Sequence, residues 1–263
     1  MHFESWQWIV LVIGALGIGL SKGGISGLGI LPIALFALIM PARESVGVVL
    51  LLLICGDVVA VAFYRRHAVW SHLGRLFPWA AIGVVLGYAA MGIISNEQVE
   101  KLIGSILLVL VFLQFWRNRK AAQQARESIE TASGSHDAAA VAEPLPHNFW
   151  LIALTGIVGG FTTMVANAAG PVMVLYLLAM RLPKMEFIGT GAWYFLVLNL
   201  FKVPFSYNLG LINWPSLRLD VMLFPCVAAG VLVGHWLVKF IDQRTFELMA
   251  LAFTLVAALR LLL

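Results

Sequence analysis

A glycine-rich interruption of an apolar stretch, between Gly14 and Pro41, constrains this chain more than any other feature. Two hydrophobic runs, residues 6–20 and 25–40, flank the sequence Ser21-Lys22-Gly23-Gly24, which we call the first break. The first run has 15 residues, so as a helix it reaches about 22 Å, whereas the hydrocarbon core of a bilayer is about 30 Å thick. Irregular backbone at membrane depth survives only where protein buries it or where it lines a cavity. The sequence therefore predicts a broken or re-entrant helix pair that forms half of a binding site.

The composition favours an integral membrane protein. Hydrophobic residues make up 61% of the 263 residues, and charged residues only 11%. A soluble domain of this length does not need so much apolar surface, so we predict an all-α protein whose main partner is the lipid bilayer. The formal net charge of +4 is explained by the excess of basic residues in cytoplasmic loops of membrane proteins. We therefore expect no nucleic-acid partner.

Apolar runs divide the chain into two blocks of five segments, separated by a polar linker. The first block, residues 1–116, has runs at 6–20, 25–40, 45–64, 76–94 and 99–116; the second, residues 148–263, has runs at 149–163, 168–180, 187–206, 217–240 and 245–263. The linker, residues 117–147, is rich in Ala, Gln, Glu and Ser, which predicts a flexible tether, with an amphipathic docking helix as the alternative. Because the first two segments of each block either span the bilayer or re-enter it, we expect eight to ten helices.

The second block repeats the first. At an offset of 142 residues, Gly14 corresponds to Gly156, Gly17 to Gly159 and Glu44 to Glu186; at an offset of 147, Pro78 corresponds to Pro225, Gly83 to Gly230 and Gly87 to Gly234. Chance does not keep glycines and prolines in phase over such a length, so the pattern indicates internal duplication. With five segments per block, the second repeat enters the membrane from the opposite side. We therefore predict two inverted repeats, with a site at their interface near the midplane.

The loops also predict the orientation. One face carries most of the basic residues, namely Arg65, Arg66, Arg75, Arg117, Arg119, Lys120, Arg181, Lys184, Lys239 and Arg244. Such a face is cytoplasmic in most membrane proteins. The linker is then inside the cell, and both termini are outside.

The second block has its own break, Thr163-Met164-Val165-Ala166, followed by Asn167. Paired breaks at corresponding positions indicate a transport site, and helix ends freed there expose N–H groups and a dipole that favour an anion. Lys22 would add a full charge, and Ser21, Thr163 and Asn167 would add neutral donors. The alternative is that the glycines only allow close helix packing. A lysine at membrane depth is costly, which favours function for Lys22, and we expect Lys22→Ala to abolish binding without unfolding the protein.

The third segment of each block carries a second polar group. Asp57 corresponds to Asn199, and Lys202 lies one turn beyond Asn199. Lys202 is either a second anion contact or a lysine that snorkels to an interface. Asp57 is either a counter-charge or proton carrier, or it forms a helix–helix hydrogen bond or an ion pair with a neighbouring lysine. The predicted substrate-binding residues are thus Ser21, Lys22, Gly23, Gly24, Thr163, Asn167, Asn199 and Lys202, with Asp57 as the coupling or counter-charge residue.

Sequence motifs for other chemistries are absent. The sequence has no His, Cys and carboxylate cluster at metal-ligand spacing, no G-x-S-x-G nucleophile turn and no phosphate-binding GxxxxGK[ST] loop. We therefore predict that the chain is not an enzyme and that it has no cofactor and no metal site.

Three motifs carry a resemblance to a known family. They are the run Gly27–Pro32 after the first break, the basic-aromatic turn Arg65–Trp70, and the turn Gly210–Trp214 at the equivalent point of the second half. With them, the chain resembles the sulfite exporter TauE/SafE family of membrane transporters over nearly its whole length outside the linker. The resemblance implies two similar halves in a bacterial cytoplasmic membrane. It also implies transport of a sulfur-containing anion such as sulfite or sulfoacetate.

These observations lead to a functional hypothesis with two alternatives. We expect a secondary transporter that exports a small sulfur-containing anion, since an anion leaving an inside-negative cell gains about 2.3 kcal/mol per charge per 100 mV. The alternatives are a proton-coupled anion importer, with Asp57 as the carrier, and a non-transporting sensor or structural subunit. The oligomeric state is open, with a homodimer as one arrangement.

The predicted topology can be tested by labelling cysteines introduced into residues 117–147. An impermeant thiol reagent added to intact cells should leave these positions unmodified, because the basic loops place the linker in the cytoplasm. The same positions should react after the cells are permeabilised. Labelling of the linker in intact cells would contradict the orientation.

Overall fold

A computed structural model of the chain describes residues 3–25, 28–91 and 149–242, together with the single residues 112, 245, 246, 248, 249, 252 and 255. The bounded elements within these residues are eight α-helices and one short 3-10 helix, without a β-strand. They are α1 (Ser5–Lys22), α2 (Ile30–Ile39), α3 (Ala42–Tyr64), a 3-10 helix (Arg65–His67), α4 (Trp70–Ala90), α5 (Phe149–Ala166), α6 (Ala169–Ala179), α7 (Lys184–Asn208) and α8 (Trp214–Val238). The linker, the predicted segment 99–116 and the predicted segment 245–263 lie outside the described residues, apart from those single positions.

Six of these helices, α1, α3, α4, α5, α7 and α8, are long and apolar enough to cross a membrane. This confirms the predicted class of all-helical membrane protein. Helix α1 has 18 residues, so the prediction that the first segment spans poorly was wrong. The short members of the two leading pairs are instead α2 and α6, with 10 and 11 residues, which reach about 15 Å, or half of the hydrocarbon core.

Each leading pair contains a chain reversal with unusual backbone geometry. In the first pair, Gly14 faces Phe36 and Gly17 faces Pro32, so α2 runs back along α1. Gly24 follows α1 with φ of 130°, a conformation that a side chain would strain. In the second pair, Asn167 between α5 and α6 has φ of 54°, which asparagine tolerates better than most residues.

The first helix of each repeat packs on the fourth helix of the other repeat. Helix α1 lies against α8, and α5 lies against α4. A Cβ atom on Gly83 of α4 would lie 2.1 Å from the carbonyl oxygen of Ile157 in α5, and one on Gly230 of α8 would lie 2.3 Å from that of Leu16 in α1. Since Gly83 and Gly230 correspond in the duplication, the two repeats interlock reciprocally.

Helices α3 and α7, which correspond in the duplication, run antiparallel. Asp57 of α3 contacts Asn199 of α7, while Tyr64 at the end of α3 lies near Gly189 at the start of α7. Asp57 and Asn199 are equivalent positions, so they meet on an approximate twofold axis. This antiparallel contact is the arrangement predicted for inverted repeats.

The close approach of α4 and α5 gives a stability test. Gly83→Ala should force the two helices apart, and overpacking of this kind typically costs about 1–3 kcal/mol. Gly74→Ala on the same helix is the matched control: no atom of the described residues lies within 4 Å of its added Cβ, and alanine favours the helix by roughly 0.5–1 kcal/mol. The midpoint of thermal unfolding in detergent should fall in the first variant and not in the second. Equal midpoints would show that the interface can relax at no cost.

Candidate functional site

A buried ion pair lies where α1, α3 and α7 meet. Lys22 Nζ is 2.7 Å from Asp57 Oδ1, and Asn199 Nδ2 donates a hydrogen bond of 2.8 Å to Asp57 Oδ2. Both oxygens of the carboxylate therefore have a partner, and Asp57 itself is fully buried. Two of the interactions considered for Asp57, an ion pair with a neighbouring lysine and a helix–helix hydrogen bond, are both present.

Lys22 has two different neighbours. Beside the contact with Asp57, its ammonium group lies 4.2 Å from the centroid of the Phe195 ring, a distance at which a cation is attracted to an aromatic face. The side chain is 10% exposed. Lys22 is therefore not an isolated charge. The expectation that Lys22→Ala leaves the fold intact does not allow for this ion pair, since that change leaves the Asp57 carboxylate buried without its cation.

Lys202 is fully buried, so it does not snorkel to an interface. Its ammonium group donates to the Thr163 carbonyl oxygen at 2.6 Å, to Thr163 Oγ1 at 3.0 Å and to Asn167 Oδ1 at 2.6 Å. An ammonium group has three N–H donors, and here each has an acceptor. In this conformation Lys202 stabilises the second break and has no donor left for a ligand.

Asn167 connects the second break to α3 as well as to α7. Its Oδ1 atom accepts from Lys202, and its Nδ2 atom donates to the Val46 carbonyl oxygen at 3.0 Å. These two hydrogen bonds hold the left-handed backbone of Asn167 in place. The turn between α5 and α6 is thus fixed between the third helices of both repeats.

A cavity of about 80 Å³ lies between the two breaks. It can hold several water molecules or a small anion, because a single water requires only about 10–15 Å³. Five of the predicted substrate-binding residues line it, namely Ser21, Lys22, Thr163, Asn167 and Asn199. The start of α2, at Gly29, and the start of α6, at Ala168 and Gly170, line it too. The ends of four helices therefore surround one cavity.

The other predicted site residues lie outside the lining of this cavity. A Cβ atom on Gly23 would lie 2.4 Å from the Val231 carbonyl oxygen, and one on Gly24 would lie 3.1 Å from Val238. Both glycines allow close packing of the first break on α8, which is the alternative considered for them. Asp57 and Lys202 do not line the cavity themselves. Asp57 contacts the lining residue Lys22, and Lys202 contacts the lining residues Thr163 and Asn167.

Two aromatic residues that contact the first break, Tyr64 and Phe195, were not singled out from the sequence. The Tyr64 hydroxyl donates to the Gly23 carbonyl oxygen at 2.6 Å, and His235 Nδ1 lies 2.8 Å from the same hydroxyl. His235 also stacks on Phe63, so it both packs against α3 and contacts the hydroxyl that supports the first break. An aromatic residue in an apolar segment is ordinary, so the sequence contains no signal for the roles of Tyr64 and Phe195.

Asp220 is the third residue that sequence reasoning missed. It lies in α8, is 4% exposed, and neither of its carboxylate oxygens has a hydrogen-bond partner in the described part of the chain. The sequence did contain a signal for Asp220, since an acidic residue two turns inside an apolar helix is a functional candidate by default. Among the described residues, no group of three or more His, Cys, Asp and Glu side chains is arranged to hold a metal ion.

The architecture and the family comparison agree. Two antiparallel sets of apolar helices, two helices too short to cross a bilayer and a polar cavity between them are the arrangement of a multi-pass membrane protein of the transporter class. The chain belongs to the sulfite exporter TauE/SafE family, whose model matches residues 10–261, so the resemblance predicted from the sequence is confirmed. This family consists of transporters rather than enzymes, and membership implies transport of an anion such as sulfite across a membrane. Neither the curated proteins nor the solved structures contain a significant match.

The ion pair predicts a rescue experiment. Lys22→Met should destabilise the protein by about 3–5 kcal/mol, because it leaves a buried carboxylate without its cation. Adding Asp57→Asn removes that charge, so the double variant should recover most of the lost stability. Thermal unfolding of the wild type, the two single variants and the double variant measures the coupling between the two positions. Independent, additive effects would contradict the ion pair.

Proposed function

We propose that the chain exports a small sulfur-containing monoanion, sulfite in its protonated form or an organic sulfonate, across the bacterial cytoplasmic membrane. The observation that carries this proposal is the cavity lined by Lys22 and by the starts of α2 and α6. The N-terminal end of a helix has a partial positive charge and free N–H groups. Two such ends and one ammonium group favour an anion.

The positions of the lysines support the same proposal. Lys22 is the last residue of α1, and Lys202 binds the Thr163 carbonyl oxygen in the last turn of α5. The ammonium groups of both lysines therefore lie at the C-terminal ends of helices, α1 and α5, where a cation is favourable. With the C-terminal ends neutralised in this way, the N-terminal ends of α2 and α6 are left for the ligand.

The charge balance favours a monoanion. The ionisable side chains that contact the two breaks are Lys22, Lys202 and Asp57, and together they carry one net positive unit when all three are ionised. An uncompensated charge inside a membrane protein is costly, and one bound monoanion neutralises it. A dianion would instead leave one negative unit in the site.

Export of such an anion needs no coupling ion. An inside-negative potential drives a monoanion outward with about 2.3 kcal/mol per 100 mV. Asp57 is held by Lys22 and Asn199, which favours its role as a counter-charge over that of a proton carrier. We retain the predicted orientation, with residues 117–147 in the cytoplasm and both termini outside.

A proton-coupled anion carrier is the second candidate. Asp220 favours it, because a buried carboxylate without a hydrogen-bond partner in the described residues is suited to binding and releasing a proton. In that case Asp220, rather than Asp57, would be the carrier.

Flux measurements decide between the two candidates. In proteoliposomes, the purified protein should move radiolabelled sulfite in response to a potassium diffusion potential alone. Gly170→Val should reduce this flux about tenfold or more, because Gly170 lines the cavity and its added Cβ meets no atom of the described residues within 4 Å, so the side chain fills open space. Gly74→Val is the matched control and should keep the flux, because its added Cβ also meets no described atom within 4 Å but Gly74 lies outside the lining of this cavity.

The same assay identifies the alternatives. Strict dependence on a pH gradient, lost in Asp220→Asn and kept in Asp57→Asn, would show a proton-coupled carrier. Ligand binding without any flux would indicate a sensor or structural subunit.

A further inference from the structure

The side-chain amide of Asn199 has a fixed orientation. Its nitrogen lies 2.8 Å from Asp57 Oδ2, and the opposite orientation would bring two oxygen atoms with lone pairs into contact. The carboxylate can only accept hydrogen bonds, so the NH₂ group must face it. The Oδ1 atom of Asn199 therefore points away from Asp57.

This Oδ1 atom has no donor in the part of the chain that the structure describes. Asn199 is 1% exposed, and Oδ1 has no hydrogen-bond partner among the described residues. A buried carbonyl that lacks a donor is unfavourable, and exceptions to this rule in a native structure require an explanation. Asn199 lines the cavity that Lys22 and the starts of α2 and α6 also line.

We propose that the substrate is a monoanion that also carries a hydroxyl group, and that this hydroxyl donates to Asn199 Oδ1. This inference rests on the proposed anion transport and specifies its substrate class. The anionic group faces Lys22 and the helix N-terminal ends, and the hydroxyl satisfies the amide oxygen. Hydroxyalkanesulfonates and the protonated form of sulfite both have this chemistry.

The geometry also disfavours a second carboxylate on the ligand. A carboxylate at the position of the hydroxyl would present lone pairs to Asn199 Oδ1, next to the negative charge of Asp57. Sulfoacetate, which is a dianion without a hydroxyl donor, should therefore bind more weakly than a hydroxyl-bearing sulfonate of the same length.

The test uses three probes that differ at one position. Binding of 2-hydroxyethanesulfonate, ethanesulfonate and sulfoacetate to the purified full chain is measured by calorimetry. The hydroxyl compound should bind at least about tenfold more tightly than either of the others, because a site that hydrogen-bonds a hydroxyl rejects an analogue lacking it. Equal binding of the hydroxyl compound and ethanesulfonate would overturn this inference and leave anion transport standing. If none of the three probes and no sulfite binds, the proposed function itself fails.

Two variants locate the effect. Asn199→Leu should bind the hydroxyl compound and ethanesulfonate with similar affinity. Ser206→Ala is the matched control: Ser206 lies two turns further along α7, is fully buried and has an Oγ without a hydrogen-bond partner among the described residues. It does not line the cavity, so this variant should keep the preference. A preference that persists in a folded Asn199→Leu protein would overturn the assignment to Oδ1. Should that variant fail to fold, the comparison of the three probes on the wild type still tests the inference, because the absence of a hydroxyl preference there would overturn it.

Discussion

The contact among Lys22, Asp57 and Asn199 is the interaction on which the rest of this structure depends. Two opposite charges buried in a membrane protein must be paired, because each alone would be expensive to place there. Asp57 and Asn199 lie on the approximate twofold axis, so this one cluster joins α3 to its counterpart α7 and brings the end of α1 to the same point. The position of the cavity follows from it.

The two halves share the same arrangement of helices but differ in the positions of their charged residues. By the offset of 142 residues, Lys22 corresponds to Met164, Asp57 to Asn199, and Lys202 to Ala60. The first break thus has a lysine that faces the cavity, whereas the second break is held by a lysine from α7 whose donors are all engaged. A symmetric scaffold therefore encloses an asymmetric cavity.

Much of the fold was available from the sequence. Apolar runs predicted all eight described α-helices, because a helix that crosses or enters a bilayer needs a long apolar segment. Glycines in phase at two offsets predicted the duplication, because closely packed helices need small residues at fixed positions. The breaks were found for a similar reason: a lysine and glycines inside an apolar segment conflict with a simple span. The length of α1 was predicted wrongly, since Ser21 and Lys22 continue the helix beyond the apolar run.

The sequence by itself determined the membrane class, the repeats, the family resemblance and the residue types at the centre. Only the tertiary structure decided what those residues do to one another. It paired Lys22 with Asp57, turned Lys202 towards the second break, placed Gly23 and Gly24 against α8, and left Asp220 and the amide oxygen of Asn199 without hydrogen-bond partners among the described residues. The physical reason is that a hydrogen bond or an ion pair depends on distances of about 3 Å between atoms far apart in sequence, and such distances are set by how the helices of the two repeats cross.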